Sequence, residues 1–223
     1  MNHVERLLER PTLYYNIDGL GELGMGFMCL GYAVLQWIQV HTPKSSIWNQ
    51  VYTLLIYVWL MSLIIHYGIK AIKKHVTYPR TGFVEYRTRD MFGRPLIIAL
   101  VISTVASIVL FAALRSHWDM TTPASLVGLL FAAGYAWGIA RTVRWKWAVV
   151  WVMAVGSLVI SVLPADLVGA LANQSWVTVM LSAKAVGAFL LSMMLYGTAL
   201  LVSGGISFWL YLRHTQPPKR EGQ

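Results

Sequence analysis

Residues 73–90, KKHVTYPRTGFVEYRTRD, form a basic and aromatic segment in a chain that is 57% apolar. Lysine and arginine attract phosphate groups, and tyrosine and phenylalanine favour the boundary between hydrocarbon and water. We expect Tyr78 and Phe83 to be interfacial anchors, with Pro79 and Gly82 shaping the backbone. The basic residues expected to contact anionic groups are Lys73, Lys74, Arg80, Arg87 and Arg89. The alternative is a loop whose charges only fix the orientation of the chain.

The same segment has turn-forming residues between two short stretches rich in β-branched and aromatic side chains. Pro79 biases the preceding residue toward an extended conformation, and Gly82 can adopt a positive φ angle. We therefore expect a small β-hairpin that pairs Val76 to Tyr78 with Phe83 to Tyr86. Because an isolated hairpin is marginally stable in water, it would lie against the membrane interface or the helix ends.

Ionisable residues inside apolar segments are rare in this chain, and such residues are often functional. Glu22 lies near the start of the first apolar run and His66 near the end of the second. If these runs are antiparallel neighbours, the two side chains lie at similar depth and form an intramembrane polar pair. Two alternatives are open: each side chain extends to the headgroups alone, or Glu22 pairs with Arg80 or Arg87.

Other chemistry has little support in the sequence. The six histidines are scattered, and Met25, Met28 and Cys29 are more typical of packing than of a copper site. Metalloprotease, serine hydrolase and phosphate-binding glycine motifs are absent from the sequence. We expect no catalytic residues, no metal or other cofactor and no nucleic-acid partner.

The elements that position these residues are apolar runs long enough to cross a bilayer, which needs about 20 residues per helix. Six runs are present, at residues 22–41, 50–69, 95–114, 124–140, 147–164 and 183–212. They predict an all-α polytopic membrane protein with six transmembrane helices. We expect an interfacial segment at 1–18, a single membrane domain at 19–212 that includes a cytoplasmic loop at 70–94, and a disordered tail at 213–223.

The distribution of positive charge predicts the orientation, because cytoplasmic loops are enriched in lysine and arginine. With six spans, all but three of the 18 lysines and arginines fall on one side of the membrane; the exceptions are Lys44, Arg115 and Lys184. This asymmetry predicts cytoplasmic N- and C-termini. It also suits an anionic membrane surface as a partner.

The stretch TYPRTGFVEYR resembles a loop found in a group of small bacterial multi-span proteins of uncharacterised function. In that loop a Tyr-Pro-Arg-Thr-Gly core is followed by an aromatic residue and valine, which here are Tyr78 to Val84. The resemblance implies a six-span protein of the bacterial inner membrane. It implies no activity.

Three functions are therefore considered. The first is a non-enzymatic role in which the loop engages anionic lipid headgroups or a protein partner. The second is a small transporter or permease subunit, and the third is a lipid-modifying membrane enzyme. Small-residue pairs such as Gly134 with Gly138 leave a homodimer or a subunit of a membrane complex open, although packing within one chain is the commoner use.

Overall fold

The computed structural model describes residues 18–43, 45–49, 51–81, 130, 132–136, 144–164, 167–168 and 183–215. These parts of the chain are mostly helical and contain no strand. The helices are α1 (Leu20–His41), α2 (Val51–Ile72), α3 (Tyr78–Thr81), α4 (Trp147–Val162) and α5 (Ala183–His214). A π-helical turn, Lys73–Thr77, joins α2 to α3, and 3-10 turns cover Ile47–Asn49 and Arg144–Lys146.

Three helical segments within the described residues are long and apolar enough to cross a membrane. They are Ile56–Thr77, Arg144–Val162 and Val186–His214. Each overlaps a predicted span, so the chain has the helices of a membrane protein. The predicted run 22–41 coincides with α1, which is not one of these three segments. The predicted run 95–114 lies outside the described residues, and only residues 130 and 132–136 of the run 124–140 are described.

Helix α1 packs along α5 and also contacts α2, while α4 packs against α5. The contact between α1 and α5 is close because glycines face the opposite helix. A Cβ atom on Gly204 would lie 2.7 Å from the backbone nitrogen of Leu23 and 2.8 Å from the carbonyl oxygen of Gly19. The two backbones therefore approach too closely for even a methyl group between them.

The centre of the bundle is apolar with a few polar atoms. Cys29, Tyr135, Met153, Met193 and Tyr196 are among the buried residues that pack together there. The outer surfaces of the helices also carry large apolar side chains, including Phe27, Trp59, Leu63, Trp151 and Val202. Apolar side chains both inside and outside are expected of helices surrounded by hydrocarbon rather than by water.

The π-turn after α2 replaces the first strand of the predicted hairpin. Val76 to Tyr78 continues the helix, so the strand predicted there is wrong; Phe83 to Tyr86 lies outside the described residues. The backbone N–H of Tyr78 donates to the carbonyl of Lys73, five residues earlier. Pro79 has no N–H to donate and its ring crowds the preceding turn, which accounts for the wider turn at this point. The extended conformation predicted before Pro79 does not occur. The helix accommodates Pro79 by forming a wider turn.

Candidate functional site

Buried charged residues from separate helices meet at one end of the bundle. Asp18 and Glu22 lie at the start of α1, Lys73 follows α2, and Lys146 directly precedes α4. Ser203, in the C-terminal half of α5, completes the group. All five side chains are buried, with relative exposures between 1% and 3%. We call Asp18, Glu22, Lys73, Lys146 and Ser203, together with Tyr135, the polar end cluster.

The Glu22 carboxylate is the best-bonded group of the polar end cluster. Its Oε1 atom accepts a hydrogen bond from Lys146 Nζ, and its Oε2 atom accepts one from the hydroxyl of Ser203. The hydroxyl oxygens of Ser203 and Tyr135 are 3.1 Å apart. Glu22 thereby links α1, the start of α4, α5 and the helical residues 132–135. A buried carboxylate with a cationic partner and a hydroxyl donor has both its charge and its oxygens satisfied.

Asp18 has a weaker set of contacts one turn earlier. Its Oδ2 atom lies 3.3 Å from Lys73 Nζ, and its Oδ1 atom accepts a 3.2 Å hydrogen bond from the backbone N–H of Leu20. Among the described residues, Oδ2 has no partner with hydrogen-bond geometry. Burial raises the pKa of the Asp18 carboxyl above its ordinary value, and the nearby Lys73 ammonium opposes part of that rise. Asp18 is thus easier to protonate than an exposed aspartate.

The π-turn presents Lys73 to Asp18 and is itself held by α5. Lys73 and Thr77 are the buried residues of the turn. The Tyr211 hydroxyl donates a 3.0 Å hydrogen bond to the backbone carbonyl of Thr77. Because a π-turn leaves a carbonyl without its usual helical partner, the Tyr211 contact stabilises the wider turn. The position of the π-turn therefore depends on both α1 and α5.

Among the described residues, several exposed side chains around the polar end cluster are basic or are tryptophans. We call its exposed residues the cationic belt: Lys70, Lys74, Arg144, Trp145, Trp147, Trp209 and Arg213. The guanidinium carbon of Arg213 lies 5.3 Å from the centre of the Trp209 ring, within cation–π range. Within the described part of the chain, Asp18 and Glu22 are the acidic residues, and both are buried. The exposed charge of this end, among those residues, is thus positive.

A second polar contact lies deeper in the bundle. The Ser157 hydroxyl donates to the carbonyl of Met153 at 2.5 Å, and the Tyr196 hydroxyl contacts Ser157. Since Ser157 has one proton and donates it to the carbonyl, Tyr196 is the donor to Ser157. This pair joins α4 to α5 among the apolar core residues.

The residues predicted to contact lipid differ in their positions and exposure in the structure. Lys73 is buried against Asp18, so its predicted place at the headgroups is wrong: with 3% exposure it lies inside the bundle. Lys74 and Pro79 are exposed and Tyr78 is partly buried. Arg80 belongs to the short helix α3, and Gly82, Phe83, Arg87 and Arg89 lie outside the described residues.

Glu22 is buried near the start of the first helix, where a polar pair was predicted, but its contacts are with Lys146 and Ser203 rather than with the predicted partner His66. The His66 ring lies edge-on to that of Tyr67, with centroids 5.3 Å apart. The sequence contained one clue to Lys146. It directly precedes an apolar run just as Glu22 opens another, so the two residues share a predicted depth.

Comparison of the chain with models of protein families, with curated proteins and with solved structures finds no match. Among the described residues, no three His, Cys, Asp or Glu side chains come together as a metal site would require. The polar end cluster and the cationic belt are therefore the features of the molecule that bear on its function.

Proposed function

We propose that the chain is an integral protein of the bacterial inner membrane with a non-enzymatic role, in which its basic end engages anionic lipid headgroups. One observation carries the proposal. At this end the described acidic residues are buried beside lysines, while Lys70, Lys74, Arg144 and Arg213 remain exposed. Among the described residues, the burial of these acids leaves the exposed charge of this end positive, as recognition of anionic lipid requires.

The tryptophans support the same placement in the bilayer. Trp145, Trp147 and Trp209 are exposed beside the basic residues, and tryptophan favours the headgroup region. A basic residue near an anionic surface contributes about 1 kcal/mol of attraction, and the effect falls off within a Debye length. The cationic belt therefore has the composition of a headgroup-binding surface. The segment that begins at Lys74 would extend it through Arg80, Arg87 and Arg89.

The helix directions support six spans with both termini in the cytoplasm. Lys73 follows α2 and Lys146 precedes α4, and both bind acids at the start of α1. The chain between them thus leaves and returns at the same end of the bundle. A membrane segment that does so crosses an even number of times, which agrees with predicted spans at 95–114 and 124–140. Positive charge at this end favours the cytoplasmic side.

A charge-removal variant tests headgroup binding. The variant Lys74→Gln/Arg144→Gln/Arg213→Gln and the wild type are reconstituted in nanodiscs of phosphatidylcholine with phosphatidylglycerol, and retained lipids are measured by native mass spectrometry. We expect the wild type to retain phosphatidylglycerol in a salt-sensitive manner and the triple variant to lose most of it. The control is Lys184→Gln, at the other end of α5, which should bind as the wild type does.

The proposal would be contradicted if the wild type and the triple variant retained phosphatidylcholine and phosphatidylglycerol equally. An additional variant, Arg80→Ala/Arg87→Ala, measures how much the segment after α3 adds to binding. A copurifying protein that depends on these arginines would favour a protein partner over lipid. A retained lipid whose mass is altered would favour the lipid-modifying enzyme.

A small transporter or permease subunit is the second candidate. It is favoured by the polar residues along the buried side of α1, where Glu22, Gln36 and Gln39 are all at most 7% exposed. Lys146 and Ser203, which both donate hydrogen bonds to Glu22, add polar groups at one end of the bundle. Proton uptake into dye-loaded proteoliposomes, abolished by Gln36→Leu but unchanged by Lys184→Gln, would support this candidate. Impermeable vesicles would count against proton transport.

A further inference from the structure

A row of exposed side chains runs along the C-terminal half of α5. Val202, Ile206, Trp209 and Arg213 recur at intervals of four, three and four residues, which places them on one face of the helix. All four side chains are exposed, and each of the three apolar ones is at least 44% exposed. We call these four residues the α5 strip. It faces away from the interior of the bundle and is open to lipid.

The order of residue types along the α5 strip matches the order of chemical groups in a phospholipid. Two aliphatic side chains are followed by a tryptophan and then by an arginine at the basic end of the bundle. From Val202 to Arg213 the helix rises by about 16 Å, at about 1.5 Å per residue. This rise is about half of the roughly 30 Å thickness of the hydrocarbon core, which is the depth of one leaflet. Acyl chains would lie against the aliphatic residues, and the phosphate would lie at the arginine.

The arginine of the α5 strip is positioned by the tryptophan one turn before it. The guanidinium carbon of Arg213 lies 5.3 Å from the centre of the Trp209 ring. Thr215 caps the last turn of α5, because its backbone N–H and its hydroxyl both donate to the carbonyl of Tyr211. Arg213 is therefore not needed to end the helix. A guanidinium held against a ring can still donate two parallel hydrogen bonds to a phosphate.

Helix α4 and the turn before it carry a matched row without that contact. Val155, Trp151, Trp147 and Arg144 follow the same order toward the same end of the bundle, and all four are exposed. Arg144 belongs to the 3-10 turn rather than to the helix. Among the described residues, the structure shows cation–π stacking for Arg213 and none for Arg144. The two rows are similar in composition and differ in whether the arginine is held against a ring.

We propose that the α5 strip is a binding site for one diacyl phospholipid with an anionic headgroup, whose phosphate is bound by the stacked guanidinium of Arg213. The inference rests on the proposed function, because it assigns the most tightly bound lipid of the cationic belt to one place. The positive charge of Arg213 complements the phosphate, and the exposed aliphatic residues complement the acyl chains. The other basic residues of the belt attract anionic lipid without fixing it.

Matched single variants of the full chain test this site in nanodiscs of phosphatidylcholine with phosphatidylglycerol. Retention of the most tightly bound phosphatidylglycerol is measured by native mass spectrometry for Arg213→Gln, Trp209→Leu, Arg144→Gln and Trp147→Leu. Arg213→Gln should weaken retention about tenfold, because it removes charged hydrogen bonds to the phosphate. Arg144→Gln should weaken it about twofold at most, since its charge acts on that lipid only from a distance.

The contribution of the ring is measured in the same way. Trp209→Leu should weaken retention about threefold, the effect of a lost cation–π contact, whereas Trp147→Leu should have no effect. In the Arg213→Gln background, Trp209→Leu should lose most of its effect, because the ring acts through the arginine. All four residues are exposed, so the thermal unfolding midpoints of the variants should match that of the wild type.

Three results would count against the site. Equal weakening by Arg213→Gln and Arg144→Gln would refute the α5 strip, while charge-dependent binding to the cationic belt would still stand. If the triple variant also retains phosphatidylglycerol as the wild type does, the proposed function fails as well. Glycerol 3-phosphate in excess should not displace the lipid, since it lacks acyl chains. Displacement by it would indicate a site for phosphate alone and would overturn the proposal.

Discussion

Two buried carboxylates one turn apart at the start of α1 are bonded very differently. Glu22 binds Lys146 through one oxygen and Ser203 through the other. Asp18 has an ionic contact of 3.3 Å to Lys73, and the oxygen in that contact lacks hydrogen-bond geometry. The difference indicates that burial of an ion pair does not by itself define its role. Glu22 joins helical segments through both of its oxygens, whereas Asp18 has one ionic contact with Lys73 and one hydrogen bond from the backbone.

The largest expected effect on stability comes from removing the charge of Glu22. Glu22→Gln removes the carboxylate that contacts the buried Lys146, which costs about 3–5 kcal/mol of stability. We expect a marked fall in the thermal unfolding midpoint in detergent. The double variant Glu22→Gln/Lys146→Met should recover part of it, because the buried ammonium that lost its carboxylate contact is removed as well.

The same experiment tests the predicted pairing with His66. His66→Ala should lower the midpoint less than Glu22→Gln does. If Glu22→Gln melts as the wild type does, the central position of Glu22 in the polar end cluster is refuted. A fall on His66→Ala equal to that of Glu22→Gln would favour His66 as a partner.

The close packing of α5 against α1 predicts the next largest effect on stability. A methyl group on Gly204 would overlap the backbone of α1, so Gly204→Ala should cost about 1–3 kcal/mol and separate Ser203 from Glu22. A Cβ atom on the adjacent Gly205 would meet no neighbouring part of the described chain within 4 Å. Gly205→Ala should therefore be neutral or slightly stabilising, because alanine favours helix. Thermal unfolding of the two variants side by side measures the difference, and equal effects would contradict the close packing.

Two serines of α5 extend the comparison between buried polar groups with and without a hydrogen-bond partner. Ser203→Ala removes a hydrogen bond to the Glu22 carboxylate and should cost about 1.5–3 kcal/mol. Ser207 is also buried, but its hydroxyl has no hydrogen-bond partner within the described part of the chain. Ser207→Ala should be neutral or stabilising, since it removes an unsatisfied polar group. Detergent unfolding curves provide the measurement, and a larger loss for Ser207→Ala than for Ser203→Ala would reverse the assignment.

The smallest expected effect is the pH dependence of stability that Asp18 contributes. Because its pKa is raised in the folded state, the folded chain binds the proton more tightly than the unfolded chain. The contribution of Asp18 to stability is therefore full below its unfolded pKa and is lost as pH rises through its folded pKa. The midpoint difference between the wild type and Asp18→Asn should change with pH in that direction. A difference that grows with rising pH in favour of the wild type would contradict the sign.

Composition was sufficient to predict the helical membrane class, since long apolar runs have few other uses. The position of Glu22 near the start of the first run could also be predicted. The partner of Glu22 could not be predicted, because the choice of His66 assumed that helices adjacent in sequence contact each other. In the structure α1 packs mainly along α5, and Lys146 lies 124 residues further along the chain. Such long-range pairing is decided by tertiary packing.

Local sequence rules failed at the π-turn for a different reason. Pro79 and Gly82 are turn-forming residues, and the stretch around them has the composition of a hairpin. The energy of continuing α2, together with the Tyr211 contact to Thr77, outweighs that local preference. Lys73 was assigned to the surface because it belongs to a basic run. Only the direction of the turn shows that it faces inward.

The separation of Glu22 from Lys146 also has a consequence for biosynthesis. At about 5–20 residues per second, translation supplies Lys146 roughly 6–25 s after Glu22. During that interval the Glu22 carboxylate lacks the lysine that it contacts in the folded chain, and an unpaired carboxylate is poorly tolerated in hydrocarbon. We therefore expect the start of α1 to stay at the membrane surface or in the insertion machinery until Lys146 has been made. Completion of the bundle then depends on helices that are made last.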